Sequence, residues 1–389
     1  MRILHIIYDD IDNPWLGGGG ATRTLEIYSR IARQGHDVTV LCGNYRGAPQ
    51  QHVRQGITYR HIGSKRSYVL SRITFALLSP FLIKRGGYDI VIEDVSPFSP
   101  IGVPLWNRRV PSVASVQNLS GRHALRKYGP PGLIPGLVEG PLLSLFRNFV
   151  AVSPGIAREL RSMHGKRANV RVIPNSAALA FVRGESETEL AGDKSYILFL
   201  GRIDIYQKGL DILLDAFSTV AAQLPDVRLV IAGGGTEQQV TKLTSLVAKS
   251  VYKDRIELPG QVDQEEAARL MRSALMLAMP SRYEAWPLTA IEAGAVGLPV
   301  VGFDILGVRD AAPPFPVGHG RLVAQGDLSA LVEQITKVAT EPKMRQEMAV
   351  KGRSWAARFS WDTLADEQLA FYEELVQSER SKRNTERQT

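Results

Sequence analysis

At 389 residues the chain is too long for one ordinary core and long enough for two domains of about 200 residues or fewer. Its 44% apolar and 22% charged residues exclude a disordered chain, and the lone Cys42 excludes an intramolecular disulfide. The net charge of +8 is uneven: residues 1–183 carry 24 Lys/Arg against 10 Asp/Glu, and residues 184–389 carry 23 against 29. A basic first half calls for a polyanionic partner; nucleic acid is disfavoured because no recognised binding module accompanies the charge, which leaves an anionic membrane surface.

The chain opens on a short apolar run, Ile3–Tyr8, that gives way to Asp9 and Asp10, so no signal peptide is expected and the expected compartment is the cytoplasm. β-Branched runs then alternate with helix-period segments, the pattern of α/β architecture with parallel sheets. Strands are expected at Arg2–Tyr8, Asp37–Cys42, Ile57–Ile62, Asp89–Glu93, Val110–Val116, Phe149–Val152 and Val170–Ile173, with helices including Ala21–Gln34 and Pro154–Met163. The apolar run Ile73–Ile83 is broken by Pro80 and falls short of the roughly 20 residues that span a bilayer. Lys65, Arg66, Arg72, Lys84 and Arg85 bracket the helix-like stretch Tyr68–Ile83, joined by Arg108, Arg109, Arg122, Arg126 and Lys127. Two readings stay open for it: a peripheral contact with the inner face of the plasma membrane, or a buried helix with solvated basic ends.

Residues 177–194 lack periodicity and gather small and acidic residues, which places the domain boundary there. The expected organisation is a first Rossmann-like domain at 1–180, a linker at 181–194 and a second Rossmann-like domain at 195–360. A closing helix follows at 361–379, with packing back on the first domain open to it, and then a fraying polar tail at 380–389. Strands of the second domain are expected at Tyr196–Leu200, Val227–Ala232, Ile256–Leu258, Leu275–Met279, Pro299–Gly302 and Arg321–Val323. Open parallel sheets place ligand sites at the carboxyl ends of their strands, and a cleft between two such domains is a natural nucleotide site.

The segment Ser281–Val301 reads as a strand end, a loop, a helix from about Pro287 to Ala295 and another strand. Glu284 falls in the loop and Glu292 about a turn and a half into the helix, so both can face one cleft. The Leu288, Thr289 and Ala290 N–H groups fall at the helix start, where unpaired donors and the helix dipole favour phosphate. This segment resembles the retaining glycosyltransferases of the GT-B fold, the large family with two glutamates separated by seven residues that includes bacterial mannosyl-, glucosyl- and N-acetylglucosaminyltransferases.

The resemblance implies that Glu284 contacts the donor sugar near the reacting carbon and that Glu292 binds the ribose hydroxyls of a nucleotide. Where the family has E-G-F-G-L this chain has E-A-W-P-L, and Pro287 has no N–H to give. A second signature, Gly201–Gly209, leaves strand Tyr196–Leu200 and opens the helix Leu210–Val220. By resemblance Arg202 and Lys208 hold the donor diphosphate and stabilise charge on the departing nucleotide, which needs no metal. The alternative is a pair of exposed cations beside a turn. Four glycines, Gly17–Gly20, follow the first strand without the G-x-G-x-x-G spacing, and no acidic residue ends the second strand, which disfavours nicotinamide binding. By resemblance Gly18 and Gly19 lie beneath the donor phosphates; a plain flexible turn is the other reading. Gly234, in Gly233–Gly235, invites a similar but weaker reading.

Gln117 and Asn118 stand where related enzymes often place a histidine near the donor sugar, so a sugar hydroxyl can be bound but no acid or base is supplied. His123 is a candidate acceptor contact or part of a basic surface loop. Asp10 and Asp12 spell the D-x-D of metal-dependent enzymes of another fold, but read better as a solvated loop. The seven histidines show no metal-ligand spacing, so no metal site is expected.

The resemblance thus implies a hexosyltransferase, needing no cofactor beyond a UDP- or GDP-linked sugar donor, that acts on a saccharide or lipid-linked hydroxyl in cell-surface polysaccharide or glycolipid synthesis. A nucleotide-sugar epimerase of the same fold and a catalytically silent sugar-nucleotide-binding protein are the rival readings.

Overall fold

The structure, a computed structural model, describes residues 1–15, 18–119, 125, 129–182 and 196–386. It divides into two compact units, one built from Met1–Asn175 with the segment from Trp361 onward, the other from Ser176–Ser360.

The first unit carries an eight-stranded sheet in the order β3-β4-β2-β1-β5-β6-β7-β8. Its strands are β1 (Arg2–Ile6), β2 (Asp37–Gly43), β3 (Gln51–Arg54), β4 (Ile57–Ile62), β5 (Ile90–Asp94), β6 (Ser112–Val116), β7 (Asn148–Ala151) and β8 (Asn169–Val172). Every neighbouring pair is parallel except β3 and β4. The unexpected β3 forms because Gln55 and Gly56, at φ 51° and 82°, make a tight turn that folds a polar edge segment back on β4. The strand order reverses between β1 and β5, and such a switch point opens a crevice at the carboxyl ends of the two strands.

Ile27, Tyr28 and Ile31 of helix Gly19–Arg33 are buried with Leu364, Ala365, Phe371 and Tyr372 of the C-terminal helix, Trp361–Glu386, in one apolar cluster. Buried polar groups fix the register of that packing. The hydroxyls of Tyr28 and Tyr372 lie 2.9 Å apart, and buried Arg23 donates to Gln368 Oε1 at 2.7 Å and to Asn175 Oδ1 at 2.8 Å. The expected fraying from Arg380 is corrected: the helix runs on to Glu386, with Arg380 reaching Asp89 at 3.1 Å, while residues 387–389 lie outside the described ones.

The second unit is a six-stranded, wholly parallel sheet in the order β11-β10-β9-β12-β13-β14. Its strands are β9 (Tyr196–Leu200), β10 (Arg228–Ala232), β11 (Ile256–Gly260), β12 (Met276–Met279), β13 (Val300–Phe303) and β14 (Gly320–Val323). Leu210, Leu213, Phe217 and Val220 of helix Leu210–Gln223 recur at helical spacing and are buried with the strand residues Ile197, Leu229 and Ile231. Here the order reverses between β9 and β12. Of the expected linker, residues 183–194 lie outside the described residues, and Leu179–Val182 forms a short helix in contact with helices Gln264–Ser273 and Leu288–Val296. Among the described residues no helix is long and apolar enough to cross a membrane.

Candidate active site

At the switch point of the second sheet the loops after β9 and β12 bring together three of the sequence candidates. Lys208 Nζ donates to Glu284 Oε1 at 2.7 Å, and Ser281 Oγ donates to the same oxygen at 2.9 Å. The Glu284 side chain is only 8% exposed and that of Lys208 18%, so the pair is shielded from bulk water, whereas Arg202 is 57% exposed. Glu284 Oε2 has no partner among the described residues and is left to accept a hydroxyl. Arg202 Nη2 donates to Gln207 Oε1 at 3.1 Å, and Asp204 lies 3.9 Å from the guanidinium.

Side chains that sequence reasoning passed over hold these two loops at a fixed spacing. Arg282 grips Asp211 through both terminal nitrogens at 2.9 and 2.8 Å and donates to the Tyr206 carbonyl at 2.7 Å, while its own N–H reaches Gln207 O at 2.8 Å. Its guanidinium also lies 4.8 Å from the centre of the Tyr206 ring. Two close backbone approaches complete the frame. A Cβ on Gly209, at φ 67°, would stand 2.0 Å from Pro280 O, and one on Gly307 would stand 2.1 Å from Glu284 O. The only advance signal is position: Arg282 lies within the segment Ser281–Val301, and Asp211 lies two residues beyond Gly201–Gly209.

Helix Leu288–Val296 starts one residue later than expected, with Pro287 as its N-cap. The Ala290 N–H is not free at the helix start as expected, because it donates to Pro287 O at 3.1 Å. Leu288 and Thr289 keep N–H groups with no backbone partner among the described residues. Trp286 turns away into the core, 7% exposed and edge-on to Phe359 at 5.4 Å, so the altered E-A-W-P-L spelling fills an apolar gap. Glu292, on the same helix, has its carboxyl pushed up to about 7 by burial, partly offset by the Ala178 N–H. Gly234 supports the Arg202 loop: its carbonyl accepts the Ile203 N–H at 2.8 Å.

In the first unit, Gly18 is the N-cap of helix Gly19–Arg33 and its N–H donates to Asp9 Oδ2 at 3.1 Å. Gly19 opens the helix, and both sit where the chain returns after β1. Burial pushes the Asp9 carboxyl up to about 6 and that of Asp94, at the end of β5, to about 7. Gln117 Nε2 donates to Asp94 Oδ2 and to Ser115 Oγ, both at 3.3 Å, so its amide oxygen faces away with no partner among the described residues. Asn118 follows it beyond the end of β6, and His123, with Arg122, Arg126 and Lys127, lies outside the described residues.

The expectation for Asp10 is corrected: it is 1% exposed, and its Oδ2 accepts from His61 Nε2 at 2.8 Å and Tyr45 OH at 3.2 Å. Asp12 pairs with Arg54. Both carboxylates are thus engaged by protein groups. Among the described residues no cluster of three or more His, Cys, Asp or Glu is placed to hold a metal ion.

Residues 185–355 match the family described as glycosyl transferases group 1, and residues 17–180 match glycosyltransferase family 4. The chain is 32% identical over 414 residues to a D-inositol 3-phosphate glycosyltransferase of Xylanimonas cellulosilytica, covering 96% of each chain. It is 32% identical over 183 residues to a phosphatidyl-myo-inositol mannosyltransferase of Mycobacterium leprae, a match that spans 47% of each chain and so about half the length of that relative. Among solved structures, sucrose-phosphate synthase from Thermosynechococcus elongatus superposes with a TM-score of 0.83 at 21% identity, over 97% of this chain and 99% of that one. Anabaena Alr3699/HepE, solved in complex with UDP and glucose, does so at 0.75 and 16%, over 96% and 100%. At such identities the structural likeness speaks to the fold alone.

Proposed function

This chain belongs to the group 1 glycosyl transferases, with two Rossmann-like parallel-sheet domains of the GT-B type, and we propose that it transfers a hexosyl unit from a nucleotide-diphosphate sugar with retention of configuration. The observation that carries the reading is the Lys208–Glu284 pair at the switch point of the second sheet, near the exposed Arg202. In the proposed reaction the acceptor hydroxyl attacks the anomeric carbon on the face from which the diphosphate departs. The sugar–phosphate bond breaks, the new glycosidic bond forms, and a leaving phosphate oxygen takes the acceptor proton.

Lys208 and Arg202 stabilise the negative charge that builds on the leaving group, Arg202 through paired N–H donors and Lys208 as a compact charge. Glu284, fixed by Lys208 and Ser281 through one oxygen, offers the other to a sugar hydroxyl. The Leu288 and Thr289 N–H groups suit the phosphates, and Glu292 the ribose hydroxyls. No step calls for a metal ion, because the two cations and the helix start carry the compensating charge. The acceptor is a saccharide or lipid-linked hydroxyl, and Asp9 and the Gln117 amide oxygen are two polar groups of the first unit suited to bind it.

Calorimetric titration with UDP and with GDP tests the donor half of this reading. Binding of either nucleotide in the micromolar range, weakened about tenfold or more in Arg202→Ala, is expected. Absence of binding by both nucleotides would remove the reading.

A further inference from the structure

Helix Tyr68–Arg85 of the first unit buries one face and leaves a second, apolar face exposed. Its hydroxyls face inward: Ser71 and Ser79 are fully buried, Ser71 Oγ donating to Asn44 O at 2.5 Å and Ser79 Oγ to Phe75 O at 2.7 Å. Phe75 and Ile83 are buried beside them, but most of the other large apolar side chains face outward. Val69, Ile73, Leu77 and Phe81, each four residues after the last, form one stripe and are 65%, 51%, 64% and 61% exposed, with Leu70 and Leu78 beside them. Of the two readings left open by the sequence, the buried helix with solvated basic ends does not fit this exposed stripe. Scattered exposed leucines are ordinary on a protein surface, but a continuous stripe of about 18 Å marks a contact.

Charge says what the contact is. Residues 38–88 and 95–138 together hold 13 Lys/Arg and not one Asp/Glu. Lys65 and Arg66 are exposed just before the helix and Lys84 at its end, where the Lys84 ammonium lies 5.2 Å from the centre of the Trp106 ring. Leu105 and Trp106, 55% and 39% exposed, extend the apolar surface, and the exposed Arg108 and Arg109 extend the cationic rim. A symmetric contact with a second copy would set this cationic rim against itself. An anionic bilayer satisfies both parts at once, phosphates meeting the lysines and arginines while the stripe enters the acyl boundary.

We infer that this face docks the chain on an anionic lipid surface, with helix Tyr68–Arg85 lying in the plane of the interface. The stripe's first turn adjoins the switch point of the first sheet. Tyr68 packs edge-on to Tyr8, just beyond β1, at 5.9 Å, and Arg72 donates to Ser96, just beyond β5, at 3.1 Å. Docking therefore brings lipid headgroups close to that crevice. The inference rests on the exposed face and not on the transfer reaction.

Flotation of the full chain with vesicles tests it. Vesicles of phosphatidylcholine alone are compared with vesicles containing about 30 mol% phosphatidylglycerol, at low and high salt. The chain should partition at least about tenfold more strongly to the anionic vesicles at low salt. Combined Val69→Ser, Ile73→Ser, Leu77→Ser and Phe81→Ser should cut that partition about tenfold, as should combined Lys65→Glu, Arg66→Glu and Lys84→Glu, with nucleotide binding and melting little changed. No partition of the wild type to anionic vesicles would overturn the inference, as would equal partition by the serine variant. Equilibrium sedimentation showing a lipid-free dimer that the serine variant dissolves would overturn it in favour of a self-interface.

Discussion

Lys208 and Glu284 meet as an ion pair at 2.7 Å although 76 residues separate them. They come from loops that leave β9 and β12, the two strands between which the sheet order reverses. Each keeps the other's charge satisfied, and Ser281 and the Arg282–Asp211 clamp hold the loops that carry them.

That relationship separates stability from catalysis. Lys208→Ala leaves a nearly buried carboxylate without its cation and should cost about 1–3 kcal/mol in urea unfolding, as should Glu284→Gln for the reverse reason. The double variant should recover about 1 kcal/mol or more of the summed loss. Turnover should not recover: it should fall about 100- to 1,000-fold in Lys208→Ala and stay low in the double variant. Full activity in the stable double variant would remove both residues from the mechanism.

Glu292 gives the account a pH signature. Its folded pKa, about 7, lies above the ordinary 4.5, so the unliganded fold gains stability from the bound proton in full below about pH 4.5. That gain, on the order of 2 kcal/mol, is lost as pH rises through about 7. Ribose hydroxyls donate best to the carboxylate, so nucleotide binding at pH 6 should release protons, and affinity should climb until about pH 7. Calorimetry in buffers of different ionisation enthalpy measures the release. Glu292→Gln should abolish it, flatten the pH dependence and melt higher than the wild type at pH 8. Proton uptake on binding would contradict the role given to this residue.

The close backbone approaches predict which glycines are irreplaceable. Gly209→Ala and Gly307→Ala would each drive a methyl group into a carbonyl about 2 Å away and should cost about 2 kcal/mol or more, read from urea unfolding. Gly18→Ala, whose added Cβ meets nothing nearer than Asp9 Oδ2 at 3.7 Å, should stay within about 1 kcal/mol of the wild type. Equal losses at all three positions would show that the loop frame around Glu284 is not what those glycines protect.

Much of this was legible in the chain. The parallel strands announce themselves as short β-branched runs because both their faces are covered, and all but β3 are found within a few residues. β3 escaped because Gln51, His52 and Arg54 lack an apolar signal and its turn depends on Gln55 taking a positive φ. The motif spellings pointed to Glu284, Arg202 and Lys208, but not to the Arg282–Asp211 clamp, whose partners are brought together only by the sheet. Asp10 misled for a similar reason, since its partners Tyr45 and His61 lie 35 and 51 residues away. Helix Tyr68–Arg85 is so evenly apolar that its sequence gives no hint of which side faces out.

Stereochemistry at the anomeric carbon decides whether transfer retains configuration. Isotopically labelled α-linked UDP- and GDP-hexoses are incubated with the chain and a set of saccharide and lipid-linked acceptors, and the transferred sugar is followed by NMR. An α-linked product is expected, formed by the wild type and nearly lost in Lys208→Ala. A β-linked product, or transfer that Lys208→Ala leaves unchanged, would contradict the proposed mechanism.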